Sequence, residues 1–258
     1  MFINSMQIYS INNSYQNKQP TFRSWTREIC DPRKGVINRN NTCFFRGRII
    51  KELAELISYE FKNLPKANIY CFGCSDGSEP LSLVMAMLSL EENLDSEKFF
   101  PIIARDVDPI AIEKAKKNDH KMTKDEKDII DIYTNDQYYR FVKETYGEPW
   151  NLNDGTPVII KKEVFNKVDF AVGDILKDYK EINPKNSVVI ARNFWPYIDK
   201  NERDIFFKNL YEHLDTGSFL VVGEFDQKGI AHKLEGNFNL ELIRLGFKPT
   251  FVRHVYSK

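Results

Sequence analysis

The sequence predicts an α/β fold in which a mostly parallel β-sheet is covered by helices on both faces. Short, wholly apolar segments that suit buried strands alternate with segments whose apolar residues recur every three or four positions. The 258 residues, of which 42% are hydrophobic, suffice for one large domain or for one domain with an appendage. Because 19 Phe and 12 Tyr supply ample core material, a wholly disordered chain is excluded.

The individual elements follow from apolar periodicity and from the residues that start and stop helices. The predicted strands are residues 68–72, 99–104, 156–161, 168–172, 187–191, 218–223 and 250–256. The predicted helices cover residues 49–61, a stretch opened by Pro80, and residues 110–117, 136–146, 199–214 and 229–245. Pro80 suits the first turn of a helix that is apolar almost all round, and Asp108 with Pro109 suits an N-cap and first turn. Residues 1–40 are polar and predict an extended arm or a short helical lead.

A strongly charged segment over residues 120–167 interrupts the alternation after the second strand–helix unit. Within it, Thr123 and Glu126 have the spacing of a capping box, which predicts a helix start. Alternation of strand and helix resumes at residue 168, and the chain has no internal repeat. The predicted architecture is therefore a Rossmann-like sheet with one insertion.

In such a sheet, ligands bind outside the carboxyl ends of the strands, and acids and amides gather there in this sequence. The residues concerned are Gly73, Ser75, Asp76, Gly77, Glu79, Asp106, Asp174, Arg192, Asn193 and Glu224. The first loop lacks the dinucleotide fingerprint and the Gly-Lys-Ser/Thr of a phosphate-binding loop. Asp106 is placed to accept hydrogen bonds from ribose hydroxyls, and the acidic loop tolerates a positive charge but does not suit a phosphate. The pattern therefore favours a cationic nucleoside without phosphate, S-adenosylmethionine (SAM). The alternative is that these acids only cap helices.

Four segments carry a resemblance to a known family. Residues 41–46 (NTCFFR), 74–82 (CSDGSEPLS), 104–108 (ARDVD) and 191–197 (ARNFWPY) occur in order and at matching spacing. They resemble the N-x-T-x-F-F-R, C-S-x-G-E-E-P-Y-S, A-T-D-I-D and C-R-N-x-x-x-Y-F motifs of the CheR family, the chemoreceptor glutamate O-methyltransferases. The tail, residues 247–258, also resembles the closing strand of that family. Arg105, Ala191 and Pro196 depart from the family pattern.

The resemblance implies a class I methyltransferase that uses SAM and releases S-adenosylhomocysteine. It implies three regions: an arm and helix over 1–63, the SAM-binding domain over 64–258, and a small β-subdomain inserted at 120–167. Arg46 and Tyr197 are implied to lie nearest the transferred methyl group, and no metal is implied. The implied cofactor-binding residues are Thr42, Gly73, Glu79, Asp106, Val107, Asp174, Ile175, Arg192 and Asn193.

Alternatives stay open for individual residues. Arg46 could instead form a structural ion pair with Glu79 or Asp106, and Tyr197 could be a half-buried tyrosine beneath the following helix. The cysteines at 30, 43, 71 and 74 could form a redox pair or a zinc site, but their spacing favours small buried apolar residues.

The acceptor is predicted to be a carboxylate. A glutamate side chain, with a pKa of ~4.3, is already an anion at neutral pH and needs no general base. The four histidines at 120, 213, 232 and 254 are predicted to lie away from the strand ends, which agrees with a reaction without a base. Two other readings remain: a methyltransferase of the same fold with another protein or small-molecule acceptor, and a SAM-binding module without turnover.

Charge and composition limit which classes of partner the protein is expected to bind. The net charge is zero, which disfavours a nucleic-acid binder. Residues 1–50 contain eight Lys/Arg and two acids, a net +6, so the other 208 residues carry −6. A basic arm favours an acidic protein substrate, which for this family is a chemoreceptor.

The insertion could bind a partner peptide by adding a strand. No segment resembles a membrane span or a signal peptide, and four cysteines are too few to staple a chain of this length, so we expect a cytoplasmic protein. We also expect a monomer.

Overall fold

The computed structural model describes residues 43–46, 48–90, 96–145, 155–223, 226 and 238–258. Its main sheet has seven strands in the order β6-β2-β1-β7-β8-β10-β9. The strands of this sheet are β1 (Asn68–Phe72), β2 (Ile102–Asp106), β6 (Val168–Val172), β7 (Ser187–Ala191), β8 (Phe219–Val221), β9 (Lys248–Pro249) and β10 (Val255–Ser257). Neighbours from β6 to β8 pair in parallel, and β10 is antiparallel to both β8 and β9. The predicted α/β fold class is confirmed.

Helices cover both faces of this sheet. The helices of the described residues are α1 (Ile49–Glu60), α2 (Ser78–Ser89), α3 (Pro109–Lys117), α4 (Lys124–Thr134), α5 (Tyr138–Phe141), α6 (Lys162–Phe165), α7 (Ile175–Asp178), α8 (Lys200–His213) and α9 (Phe238–Leu245), of which α4 and α5 belong to the insertion. Because side chains alternate along a strand, β1 serves two cores. Ile69 and Cys71 pack into the core beneath α1 and α2, whereas Tyr70 and Phe72 pack into the core beneath α8 and α9.

The insertion forms a second, antiparallel sheet. Its order is β3-β5-β4, with β3 (His120–Met122), β4 (Val142–Glu144) and β5 (Thr156–Ile160). The predicted capping box at the start of α4 is confirmed, because the Glu126 N–H donates to Thr123 Oγ1 while the Thr123 N–H donates to a Glu126 carboxylate oxygen. The predicted limits of the three regions, 1–63, 64–258 and 120–167, remain predictions.

Some predicted boundaries are wrong. The helix predicted over 136–146 is only the single turn α5, because the following residues pair with β5 as strand β4. Strand β2 begins at Ile102, since residues 96–99 form a 3-10 turn before Pro101. Helix α2 begins two residues before Pro80. The strand predicted over 250–256 is interrupted by a turn, and residues 229–237 of the last predicted helix lie outside the described residues.

Helices long and apolar enough to cross a bilayer do not occur in the described ranges.

Two glycines with the same backbone angle provide a test of how the first loop packs. Gly77 and Gly217 both have φ of +89°, but a Cβ on Gly77 would lie 2.8 Å from the Phe170 ring, whereas a Cβ on Gly217 would meet nothing within 4 Å. We expect Gly217→Ala to lower the free energy of unfolding by about 1–2 kcal/mol, the cost of left-handed backbone. Gly77→Ala should cost about 1–3 kcal/mol more, because its methyl group overpacks the ring. Urea unfolding measures both, and equal losses would contradict this packing.

Candidate active site

The carboxyl ends of β1, β2 and β7 lie side by side, so their following loops meet at one edge of the sheet. The loop after β1 turns at Gly73, whose φ is +69°. A Cβ there would lie 2.7 Å from the Phe194 ring, in the loop after β7. Gly73 therefore allows these two loops to touch, and a larger residue would push them apart.

Asp106 ends β2 and holds the loop after β1. Its two carboxylate oxygens accept the N–H groups of Ser75 at 2.8 Å and Asp108 at 2.9 Å. Burial raises the pKa of Asp106, although these donors act in the opposite direction. The next residue, Val107, is 39% exposed. The carboxylate is thus fixed at the strand end where a ribose was predicted.

Other acids at this edge cap helices. Asp76 accepts hydrogen bonds from the N–H and hydroxyl of Ser78 in the first turn of α2. Asp174 is the N-cap of α7 and accepts the Leu176 N–H at 3.1 Å, while the neighbouring Ile175 is buried. Both carboxylates thus bind N–H groups at helix starts, and the predicted place of Asp174 in the cofactor site remains a prediction.

Glu79 and Arg192 form a largely buried ion pair across the edge, in which the side chain of Arg192 is 5% exposed and that of Glu79 is 17% exposed. Arg192 Nη1 donates to Glu79 Oε2, and its Nη2 lies 3.4 Å from the backbone oxygen of Arg46. The other oxygen of Glu79 accepts from the Cys71 thiol at 3.8 Å. Glu79, one of the two acids considered as a partner of Arg46, thus pairs with Arg192, which also reaches the backbone oxygen of Arg46.

The segment from Cys43 to Arg46 is tied to two different elements. The Phe44 N–H donates to Glu126 Oε1 and the Phe45 N–H donates to Ser82 Oγ, both at 2.9 Å. Both Phe rings are buried. Burial and the nearby Glu126 carboxylate raise the pKa of Cys43 to about 11, so this thiol stays protonated at neutral pH. Thr42 lies outside the described residues.

The loop after β7 carries Asn193 and Tyr197. Asn193 adopts a left-handed conformation with φ of +67°, and its buried side-chain oxygen has no hydrogen-bond partner in the part of the chain that the structure describes. A Cβ on Gly223 would lie 2.0 Å from that oxygen, so glycine is required where β8 ends. The backbone of Tyr197 closes the 3-10 turn Trp195–Tyr197, but its side chain is not among the described parts of the chain.

Asp226 organises this loop and is absent from the predicted site. Its carboxylate is fully buried and accepts the N–H groups of Asn193 at 2.7 Å, Gly223 at 2.6 Å and Trp195 at 3.2 Å. Burial raises the pKa of Asp226 to about 7 in spite of these donors. An acid shortly after an apolar strand is the available sequence signal, but Glu224, which directly follows the predicted strand, fits that signal better and lies outside the described residues.

The cysteines and histidines require one correction. Cys71 and Cys74 are buried free thiols whose pKa values are raised by burial. In the described part of the chain, no three His, Cys, Asp or Glu side chains are grouped as a metal site.

The expectation that all four histidines lie away from the strand ends is wrong for His254, whose backbone oxygen accepts the Val222 N–H directly after β8. The antiparallel β10 brings it there. His232 lies outside the described residues.

Comparison with known proteins identifies the family. The model of the CheR methyltransferase SAM-binding domain matches residues 40–238. The chain belongs to the CheR methyltransferase family. It is therefore a SAM-dependent methyltransferase, and the predicted family, enzyme class and cofactor are confirmed.

Individual relatives of this CheR-family chain are distant. A chemotaxis protein methyltransferase of Borreliella burgdorferi is 22% identical over 216 residues, which are 80% of this chain and 69% of that protein. A TehB-like SAM-dependent methyltransferase from Corynebacterium glutamicum has a TM-score of 0.40 at 14% identity, over 84% of this chain and 88% of that one. Magnesium protoporphyrin IX methyltransferase from Synechocystis with bound SAM has a TM-score of 0.39 at 14% identity, over 81% and 77%.

The charges at the edge fit the cofactor of this family. SAM is a nucleoside without phosphate that carries a sulfonium cation, so it needs hydrogen-bond acceptors and few nearby cations. Asp106 offers a carboxylate at the strand end, and the positive charge of Arg192 is balanced by Glu79. Asn193 adds a buried oxygen that lacks a hydrogen-bond partner among the described residues.

The raised pKa of Asp226 predicts a particular pH dependence of stability. Its folded-state pKa of about 7 lies above the unfolded value of ~3.9, so the folded protein binds the proton more tightly between these values. Relative to Asp226→Asn, the natural protein should therefore lose free energy of unfolding as the pH rises from 4 to 7 and change no further above 7. Urea unfolding of both proteins across this range provides the measurement. A relative stability that increases with pH would contradict the assignment.

Proposed function

We propose that this CheR-family methyltransferase esterifies glutamate carboxylates of an acidic protein, a substrate of the chemoreceptor type. The observation that carries the proposal is the fixed segment ending in Arg46. Its backbone is tied through Phe44, Phe45 and Arg46 itself at the sheet edge where the cofactor of this family binds. The related chemotaxis methyltransferase of Borreliella burgdorferi supports the choice of substrate class.

The roles of the cofactor-binding residues follow from where they lie. Asp106 would accept hydrogen bonds from the ribose hydroxyls, and Gly73 and Asn193 would border the methionine part. We assign the rest of the pocket wall to Val107, Asp174 and Ile175, with Thr42 at the start of the Arg46 segment. Glu79 and Arg192 would act by bracing this wall, because they bind each other and the backbone of Arg46.

The chemistry requires alignment more than proton transfer. SAM, when bound, supplies an electrophilic methyl group on its sulfonium. The acceptor carboxylate is ionised at neutral pH, so the protein has to orient it, exclude water and hold the reactants in line, which can lower a barrier by about 7–11 kcal/mol. Arg46 would orient the carboxylate through charge-assisted hydrogen bonds, and Tyr197 would fix its second oxygen or the methyl group.

Two further parts of the chain bear on the substrate. The basic residues of the arm, which give residues 1–50 their net charge of +6, would attract an acidic protein, although residues 1–42 lie outside the described residues. In the insertion, β4 pairs with β5 along one side. Its other side would accept an added peptide strand.

The decisive test uses methyl-labelled SAM and the cytoplasmic fragment of a chemoreceptor. We expect a labelled protein whose label is released as volatile methanol by mild base, because carboxyl methyl esters hydrolyse under conditions that N-methyl and ether groups survive. A receptor fragment with its acceptor glutamates changed to Gln should take up no label. Base-stable label would contradict the carboxylate assignment, and binding of SAM without transfer would favour a module without turnover.

Three variants sharpen this test. Arg46→Ala should lower kcat by roughly 100-fold, since a charged hydrogen-bond donor to the acceptor is lost. Arg48→Ala is the matched control: its side chain is 77% exposed and pairs only with Glu52 among the ion pairs described, so kcat should stay within about twofold. His254→Asn should also leave kcat unchanged if no base is needed, and Asn tolerates the φ of +67° at that position.

A further inference from the structure

Glu126 uses its two carboxylate oxygens for two separate purposes. One oxygen, Oε2, accepts the Thr123 N–H at 2.8 Å and the Thr123 hydroxyl at 2.9 Å, which completes the capping box of α4. The other oxygen, Oε1, accepts the N–H of Phe44, a residue 82 positions earlier in the chain. A helix cap needs only the first oxygen, so the second contact has a different role.

The second contact joins the insertion to the segment that carries Arg46. Around it, the Phe44 ring packs edge-on against His120 of β3 at 5.3 Å, and the Phe45 ring packs against Tyr133 of α4 at 5.7 Å. Thus the insertion supplies both a hydrogen bond and two ring contacts to the two residues directly before Arg46.

One backbone group of each of three successive residues in this segment is held, and each by a different element. Phe44 N–H is held by Glu126, Phe45 N–H by Ser82 of α2, and the Arg46 oxygen by Arg192 of the loop after β7. Phe45 has a positive φ of +45°, an unfavourable conformation for a bulky residue that persists only where its surroundings enforce it. Losing one tie would let this strained turn relax and move the residue that follows it.

We propose that Glu126 is a positioning residue for methyl transfer: by holding the Phe44 N–H, it fixes the turn that aims Arg46 at the acceptor carboxylate. This inference rests on the role proposed above for Arg46. It also makes the insertion part of the catalytic framework, because the carboxylate that sets the geometry of Arg46 belongs to the first turn of α4.

The matched pair of variants is Glu126→Ala and Thr123→Ala. Both remove a capping-box interaction, so both should lower the melting temperature by about 2–4 °C. Only Glu126→Ala removes the hydrogen bond to Phe44. We expect it to lower kcat on the receptor fragment at least tenfold while the KM for SAM stays within about threefold, and Thr123→Ala to leave kcat within about twofold.

Amide hydrogen exchange gives a readout that does not depend on activity. Exchange at Phe44 should accelerate at least tenfold in Glu126→Ala and stay unchanged in Thr123→Ala. If Glu126→Ala does not fold, Glu126→Asp carries the same test, because its shorter carboxylate keeps the acid in the first turn of α4 but cannot span both partners.

The outcomes separate this proposal from the proposed function. Equal kcat values for the Glu126 and Thr123 variants, or unaltered exchange at Phe44, would overturn the positioning role while leaving glutamate methylation intact. If the natural protein transfers no methyl group to the receptor fragment, the proposed function fails, and unaltered exchange at Phe44 would then still refute the tie to Glu126.

Discussion

The buried ion pair between Glu79 and Arg192 is the interaction on which the site depends. It links the first turn of α2, the loop after β7 and, through the Arg46 backbone oxygen, the segment before α1. These three parts are distant in sequence. The parallel pairing of β1 with β7 brings the first two together, and the hydrogen bonds of Phe44 and Phe45 hold the third beside them. Removing a charge from water is costly unless its partner is present, so neither residue can remain here without the other.

Similar reasoning explains why so many backbone groups at this edge bind carboxylates. Loops that reverse direction after a strand leave N–H groups without sheet partners, and burial makes each of them costly. Asp106, Glu126 and Asp226 meet that need for the loops after β1 and β7 and for the Arg46 segment. Of these three acids, Asp106 lies at the end of β2, where its carboxylate also suits a cationic cofactor.

Local signals in the sequence predicted local structure well. Asp108 with Pro109 and Thr123 with Glu126 are confirmed as helix starts, because each depends on residues within one turn. Contacts between residues that are distant in sequence could not be predicted, because they depend on the assembled sheets. Examples are the ion pair of Glu79 with Arg192, the position of His254 beside β8, and the pairing of residues 142–144 with β5 as strand β4. Asp226 was missed because three backbone donors meet there only after folding.

A double-mutant cycle on Glu79 and Arg192 measures how far each residue depends on the other. Unfolding free energies of Glu79→Ala, Arg192→Ala and the double variant would be compared with that of the natural protein. Each single change should cost about 3–5 kcal/mol by leaving an uncompensated buried charge, and the double variant should lose little more than the worse single one. Losses that add to within about 0.5 kcal/mol would show that the two residues act independently and would contradict the account.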